Sequence, residues 1–240
     1  MLVKVGSVEA DVKVAAVMSV PRLGFTDNFF CIAQALAPHG IAPTKVCGVF
    51  WGQSLQRAIE PMLDSHDVIL TFDYDTIFSA KTIEALLTLL MFSGYDAIAP
   101  LQSQREADSV MFALPDVSPE DVMQVEDDWF GKPVQEVGTA HFGCTFIRTA
   151  AIKKMPKPWF LGVPSPTGDW QNGHVDEDIY FWNKFREVGN KVGMATHVSV
   201  GHAELMITWP SRGEQNKIQQ HPTDFWQNCK APEGAWGVLQ

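Results

Sequence analysis

The chain has 240 residues and 26.6 kDa, 46% hydrophobic and 19% charged at a mean hydropathy of −0.03. That is enough apolar material for one large domain with a sizeable core, and it excludes intrinsic disorder. Asp and Glu number 28 against 18 Lys and Arg, giving a net charge of −10 and a pI near 5.1, so the chain as a whole repels phosphate backbones and anionic membranes.

Val12 to Val20 reads as a buried strand ending at Pro21. Asp27 is placed to cap a helix with the face Phe29, Ile32, Ala33 and Leu36, stopped by Pro38 and Gly40. Lys45 to Phe50 is a second strand. Leu55, Ile59, Met62 and Leu63 form a helical stripe that Pro61 kinks or restarts. Asp67 to Phe72 is a third strand, Ser79 caps a helix bearing Ile83, Leu86, Leu87 and Leu90, and Asp96 to Pro100 is a fourth strand. Strands and helices alternating over short connections predict an α/β fold with a parallel sheet covered on both faces.

The pattern then changes. Short strands are expected at Val110 to Leu114, Val122 to Val125 and Val134 to Val137, with an acidic stretch at Glu126 to Asp128. Gly143 to Arg148 is a strand leading into a helix that ends at Lys154. Met155 to Val175, rich in Pro and Gly, reads as a long loop of the kind that serves function. Glu177 to Val188 is helical, and two short strands follow at Lys191 to Ala195 and His197 to Val200. The helix candidate Ile83 to Phe92 is too short to span a bilayer. No signal pattern opens the chain, and the scattered cysteines Cys31, Cys47, Cys144 and Cys229 match neither a zinc site nor a disulfide framework. A soluble, cytoplasmic protein is expected.

Three constellations carry chemistry. The third strand runs into Asp73-Tyr74-Asp75, at the strand end where open α/β sheets bind ligands. Continued alternation would put both carboxylates on one side with Tyr74 opposite. Two converging acids repel unless a cation lies between them, which points to Mg²⁺ or Mn²⁺ over an ordinary acidic loop. Haloacid-dehalogenase-type phosphatases also use Asp-x-Asp, but place a threonine where this chain has Ile77, and at the first strand. Next, Asp176-Glu177-Asp178 opens a helix after the Pro/Gly-rich loop, so an acid there can face a cleft. Last, His202 ends the final strand, and gains interest only in combination with the aspartate pair.

In order and spacing these pieces resemble the GT-A glycosyltransferases, in particular family-2-like enzymes of bacterial and phage type. The resemblance runs from about Val14 to His202. It includes Ser19-Val20-Pro21, Asp73-Tyr74-Asp75, Gly143 to Arg148 with Pro158-Trp159-Phe160, Glu177 to Phe181, Arg186 to Val192, and Gly201-His202. It implies a Rossmann-like, mixed and mostly parallel sheet flanked by helices, a catalytic domain over 1–202, and a tail over 203–240 that packs on or covers the site. It implies metal-dependent transfer of a hexosyl or pentosyl group from a nucleotide sugar, a UDP- or GDP-sugar, to an acceptor hydroxyl. Ser19, Pro21 and Arg22 would line the donor pocket, and Arg57 would reach its phosphates or base. Tyr74 belongs to the same donor-binding set. Asp73 would contact the ribose or the metal's water shell, while Asp75 and His202 would bind Mn²⁺ or Mg²⁺. Asp178 would be the catalytic base, supported by Glu177, giving inversion. His141 stands where related chains are small and glycine-rich.

Two rivals are a nucleotidyltransferase, for which the loop after the first strand is too poor in glycine, and a non-catalytic carbohydrate- or nucleotide-binding module. The acceptor class stays open. A hydroxymethylated phage DNA base is a minority reading, because Lys153, Lys154 and Lys157 form the only basic cluster visible in the sequence.

Overall fold

A strand with apolar residues at every position needs cover on both faces, and the chain supplies helices on each side. The computed structural model describes residues 1–5, 8–21, 23–105, 109–115, 131–211 and 217–235. An N-terminal hairpin, β1 (Leu2–Val5) and β2 (Val8–Asp11), was not signalled by the sequence pattern. It precedes β3 (Val14–Ser19), α1 (Thr26–Leu36), β4 (Pro43–Val46), α2 (Trp51–Ile59), β5 (Val68–Asp73), β6 (Thr76–Ile77), α3 (Ala80–Phe92) and β7 (Ala97–Leu101). There follow β8 (Phe112–Ala113), β9 (Val134–Val137), β10 (Thr139–Ala140), β11 (Cys144–Arg148), α4 (Thr149–Lys153), α5 (Glu177–Glu187), β12 (Val192–Ser199) and β13 (Gly201–His202). The last elements are β14 (Ile207–Pro210), β15 (Lys217–Gln220) and α6 (Pro222–Asn228).

Seven strands form one sheet in the order β4-β3-β5-β11-β7-β12-β9. Five run one way, while β11 and β9 run against them. The sheet is therefore mixed and mostly parallel in strand direction, flanked by helices. The element that the alternation alone did not order is β11, inserted antiparallel between β5 and β7. Its register, Cys144 opposite Phe72 and Arg148 opposite Val68, brings its start to the edge bearing Asp73 and sends α4 to the opposite edge.

Parity along the strands divides the core in two. Ile69 joins Val17, Ala97, Ala99 and Met194 under α2 and α5, whereas Val68, Leu70 and Phe72 pack with α1 and α3. The first half is dominated by rings. Phe142 lies 5.1 Å from both Phe181 and Trp182, and Phe160 stacks on Phe181 at 4.8 Å.

Several boundaries differ from the sequence reading. Helix α1 starts at Thr26 with Phe25 as its cap residue and no side-chain cap, so Asp27 sits inside the first turn. Its buried face is Asn28, Ile32, Ala35 and Leu36, and Phe29 is exposed, because Asn28 reaches backbone carbonyls beneath the helix. The second strand ends at Val46, and residues 47–50 lead into α2 instead. The two last strands merge into β12, whose register shifts between Ala195 and Ser199. Ser79 caps α3 in a reciprocal pair with Thr82, as expected. The expected strand Val122 to Val125 and the acids Glu126 to Asp128 lie outside the described residues. Among the described residues no helix is long and apolar enough to cross a membrane.

Phe181 is fully buried at the centre of the ring cluster. Phe181→Ala is expected to lower unfolding stability by about 3–5 kcal/mol, the usual result of emptying an aromatic core position. Urea denaturation followed by far-UV circular dichroism measures it, and a loss below that of an exposed site such as Phe29→Ala would contradict this packing.

Candidate active site

Asp73 continues the parity of Ile69 and Thr71 and so emerges on the α2/α5 side of the sheet. There it lines a cavity of about 640 Å³ together with Trp51, Met111, His141, Phe142, Trp170, Asp176, Glu177 and Asp178. The sheet edge and the start of α5 thus contribute carboxylates to one space. Burial, reinforced by the neighbouring Asp75 charge, pushes the Asp73 carboxyl up to about 7.

The chain does not stay extended through the motif. It turns at Tyr74 and Asp75, and Thr76–Ile77 pair with Gly201–His202 as a short antiparallel ribbon. Tyr74 and Asp75 therefore do not alternate as in a strand. Asp75 is buried, with Oδ2 3.3 Å from His202 Nε2 and 3.7 Å from Arg105 Nη1. Arg105 is beyond hydrogen-bond distance and His202 is not aligned for one, so Oδ2 is a buried oxygen without a hydrogen-bond partner. His202 Nδ1 lies 2.9 Å from the Ser103 carbonyl. Only a protonated Nδ1 suits that acceptor, which leaves Nε2 directed at Asp75. The Asp75 carboxylate raises the His202 pKa against the opposing effect of burial. Among the described residues no three His, Cys, Asp or Glu side chains converge as a self-sufficient metal cluster. Asp75 and His202 converge as a pair.

Across the cavity, Glu177 and Asp178 open α5 but differ in use. Glu177 Oε2 accepts the Gly52 amide at 2.7 Å, which satisfies a free N–H in the first turn of α2 and places an anion at its positive end. Gly52 makes this approach possible, since a Cβ there would stand 2.4 Å from Phe160 Cβ and 2.9 Å from Glu177 Oε2. Asp178 Oδ1 accepts the amide of Ile179 at 2.8 Å. Burial raises its pKa above the ordinary carboxylate value, Ile179 opposes the shift, and the charge of Asp176 adds to it.

The remaining sequence candidates are dispersed. Ser19 pairs with Asp73 across β3 and β5, Pro21 is exposed beside it in sequence, and Arg22 lies outside the described residues. Tyr74 stacks parallel to Phe25 with centroids 6.2 Å apart, and accepts a hydrogen bond from Arg105 at 3.3 Å. These three residues line a second cavity of about 470 Å³, walled by Ala203, Glu204, Leu205 and Pro222 from the tail. Arg57 is exposed in the last turn of α2, roughly 9 Å along the axis from Trp51, and lines neither cavity. Trp159 is buried and cannot stack on a sugar, whereas Trp170 is exposed at the rim of the first cavity. Lys153 and Lys157 pair with Asp64 and Glu60, and Lys154 with Asn190, next to α4 and the end of α2 at the edge away from Asp73. The sequence reading missed Arg105, Ser103 and Asn28, which meet the motif only in three dimensions.

Neither a family model nor a curated protein matches the sequence. Three solved structures share part of the chain's fold at low identity. A197 from STIV superposes at a TM-score of 0.49 with 14% identity, over 83% of this chain and 100% of that one. GalNAc-T7, crystallised with UDP, GalNAc and Mn²⁺, gives 0.49 with 11% identity, over 80% and 44%. S. aureus TarS 1–349 gives 0.39 with 12% identity, over 79% and 60%. The chain spans less than two thirds of the length of the latter two. Similarity at this level carries no argument about function, and what the site can do follows from its own residues.

His141 shows how one such residue is used. It is buried, its Nε2 donates to the Pro100 carbonyl at 2.8 Å, and its Nδ1 accepts the Gly143 amide at 3.1 Å. Burial lowers its pKa from 6.5 to about 4, the Pro100 bond opposes this, and the charge of His202 adds to it. The folded chain therefore holds His141 neutral while the unfolded chain protonates it from 6.5 downwards. Its contribution to stability is full above pH 6.5 and is lost as the pH falls towards 4. His141→Gln, which cannot titrate, should flatten the fall in stability over that window in urea unfolding at stepped pH. The difference between the two proteins isolates His141 from Asp73, whose raised pKa acts in the opposite sense. Parallel profiles would contradict a neutral, buried His141.

Proposed function

We propose that this chain is a metal-dependent glycosyltransferase that moves a sugar from a UDP- or GDP-sugar to an acceptor hydroxyl, with inversion. The observation that carries this reading is the single cavity shared by Asp73 at the sheet edge and by Glu177 and Asp178 at the start of α5. An acceptor and the sugar it attacks need a carboxylate on one side and neutralisation of a leaving diphosphate on the other.

Mn²⁺ or Mg²⁺ fits the residues present. Asp75 Oδ2 is buried without a hydrogen bond, and His202 turns Nε2 towards it. These two residues would hold the cation, a number of protein ligands usual for a hard ion that completes its shell with phosphate and water. When bound, the ion supplies positive charge that stabilises the departing nucleoside diphosphate. Asp73 contacts the donor ribose or the ion's water shell. Ser19 and Pro21 flank the donor, and Tyr74 and Arg105 contribute from the second cavity. Residues 1–202 form the catalytic unit, and the tail contributes the wall that Ala203, Leu205 and Pro222 give the second cavity.

Asp178 takes the acceptor proton. Its Oδ1 is engaged by Ile179, so the proton goes to Oδ2, and its raised pKa brings it nearer to that of a base working at neutral pH. Glu177, held by Gly52, keeps α5 in place. A base and a leaving group on opposite sides of the anomeric carbon produce one in-line displacement, hence inversion. The lysine cluster is paired and lies at the other sheet edge, which weakens the case for a DNA acceptor.

With a panel of UDP- and GDP-sugars, Mn²⁺-dependent release of the nucleoside diphosphate is expected, and a binding module would release none. Excess EDTA should abolish transfer, and either ion should restore it. Asp75→Ala should lose donor binding as well as turnover. Full activity in EDTA would overturn the metal dependence.

Asp178→Asn keeps the shape and removes the base. Transfer should fall by about 10²- to 10⁴-fold with donor affinity little changed, while Asp176→Asn costs less. The wild-type rate should fall on the acid side as Asp178 is protonated, at a pH above the ordinary carboxylate range. Near-wild-type turnover in Asp178→Asn would remove both the base and the grounds for inversion.

A further inference from the structure

Helix α1 buries an amide where its face is otherwise apolar. Asn28 is fully buried in the row that continues through Ile32, Ala35 and Leu36. Its Nδ2 donates to the carbonyl of Asp73 at 3.1 Å and to that of Thr76 at 2.6 Å, the two carbonyls that bracket the Tyr74–Asp75 turn. Because both partners are acceptors, the orientation of the amide is forced, and Oδ1 is left buried without a hydrogen bond. Packing does not explain an orphaned acceptor in this row, since an apolar side chain would avoid its cost. Holding the turn does.

The turn is held from its other side by the Ala203 amide, which donates to the Asp75 carbonyl at 2.6 Å. One turn along α1, Cys31 touches the same segment further on. Its Sγ donates to the Phe78 carbonyl at 2.8 Å and accepts the Phe78 amide at 3.0 Å. Asn28 and Cys31 therefore form a matched pair on one helix. One grips the turn itself, and the other grips Phe78, the residue just past β6.

We propose that Asn28 is a positioning residue for the candidate cation site, setting the Tyr74–Asp75 turn so that Asp75 Oδ2 meets His202 Nε2. The inference rests on the metal-binding reading above. It assigns to α1, which supplies no ligand, control over how well the site holds its ion.

The test is Mn²⁺ titrated into the purified chain, with free Mn²⁺ followed by electron paramagnetic resonance and amide hydrogen exchange measured on the same proteins. Asn28→Ala should weaken Mn²⁺ binding by about 10- to 100-fold, the range for loss of a group that orients a metal ligand. It should also speed exchange of the Ala203 amide while the β5 amides stay protected. Cys31→Ala, altered at the next turn of the same helix, should keep wild-type Mn²⁺ affinity. Unchanged affinity in a folded Asn28→Ala protein, or an equal loss in Cys31→Ala, overturns the proposal. If Asn28→Ala does not fold, nuclear magnetic resonance of the wild-type chain decides. Mg²⁺ should then shift the Asn28 side-chain amide signals and not the Phe78 amide, and static Asn28 signals overturn it. A wild-type chain that binds no Mn²⁺ defeats the metal reading separately. The exchange rate of Ala203 in Asn28→Ala then judges the positioning role by itself, and unchanged exchange overturns it.

Discussion

Asp73 and Asp75 bring two negative charges into the interior at the end of a buried strand, and their mutual repulsion in a medium poorer than water at screening charge has to be relieved. Part of the relief is visible in the raised Asp73 pKa, which reflects burial first and the Asp75 charge second. Part is the company kept by Asp75, whose Oδ2 lies within ion-pair distance of His202 and Arg105. Neither group makes a hydrogen bond to that oxygen. The Asp75 carboxylate thus has basic groups beside it and one oxygen without a hydrogen bond.

The rest of the fold holds this pair in place. The carbonyls on either side of the Tyr74–Asp75 turn are held by Asn28, and the Asp75 carbonyl by Ala203. The antiparallel strand β11 fills the gap between β5 and β7, with Gly143 O accepting the Asp73 amide at 3.4 Å. Facing it, α5 is fixed to α2 by the Glu177–Gly52 bond and by the rings of Phe142, Phe160, Phe181 and Trp182. Two neighbouring acids of similar chemistry are thereby held by different amides. Glu177 Oε2 accepts the Gly52 amide and Asp178 Oδ1 the Ile179 amide, and both line the cavity.

The α/β class, most strand and helix positions and the Ser79 cap were legible in the sequence, because each depends on neighbours within a turn or a strand of the residue concerned. The run Val68–Phe72 is apolar almost throughout, and Ser79 finds its partner three residues on. The acids Asp73, Asp75 and Asp178 and the histidine His202 were likewise visible, as charged groups at the ends of apolar elements. Asn28 was not, since in sequence it is one polar residue at the start of an amphipathic helix. Nor were Arg105 and Ser103, which sit in a stretch without regular pattern.

What the sequence by itself determined is the material: buried strands with acids at their ends, and helices able to cover both faces. Only the tertiary structure decided which acids meet. Local alternation placed Asp73 and Asp75 on one side of a strand, but pairing of Thr76–Ile77 with Gly201–His202, more than a hundred residues away in sequence, turned the chain between them. The same long-range closure brought His202 to Asp75 and the start of α5 to the cavity containing Asp73. Such contacts leave no local periodicity to read, because they depend on sheet order and register, and these are settled by how all the strands bury their faces together.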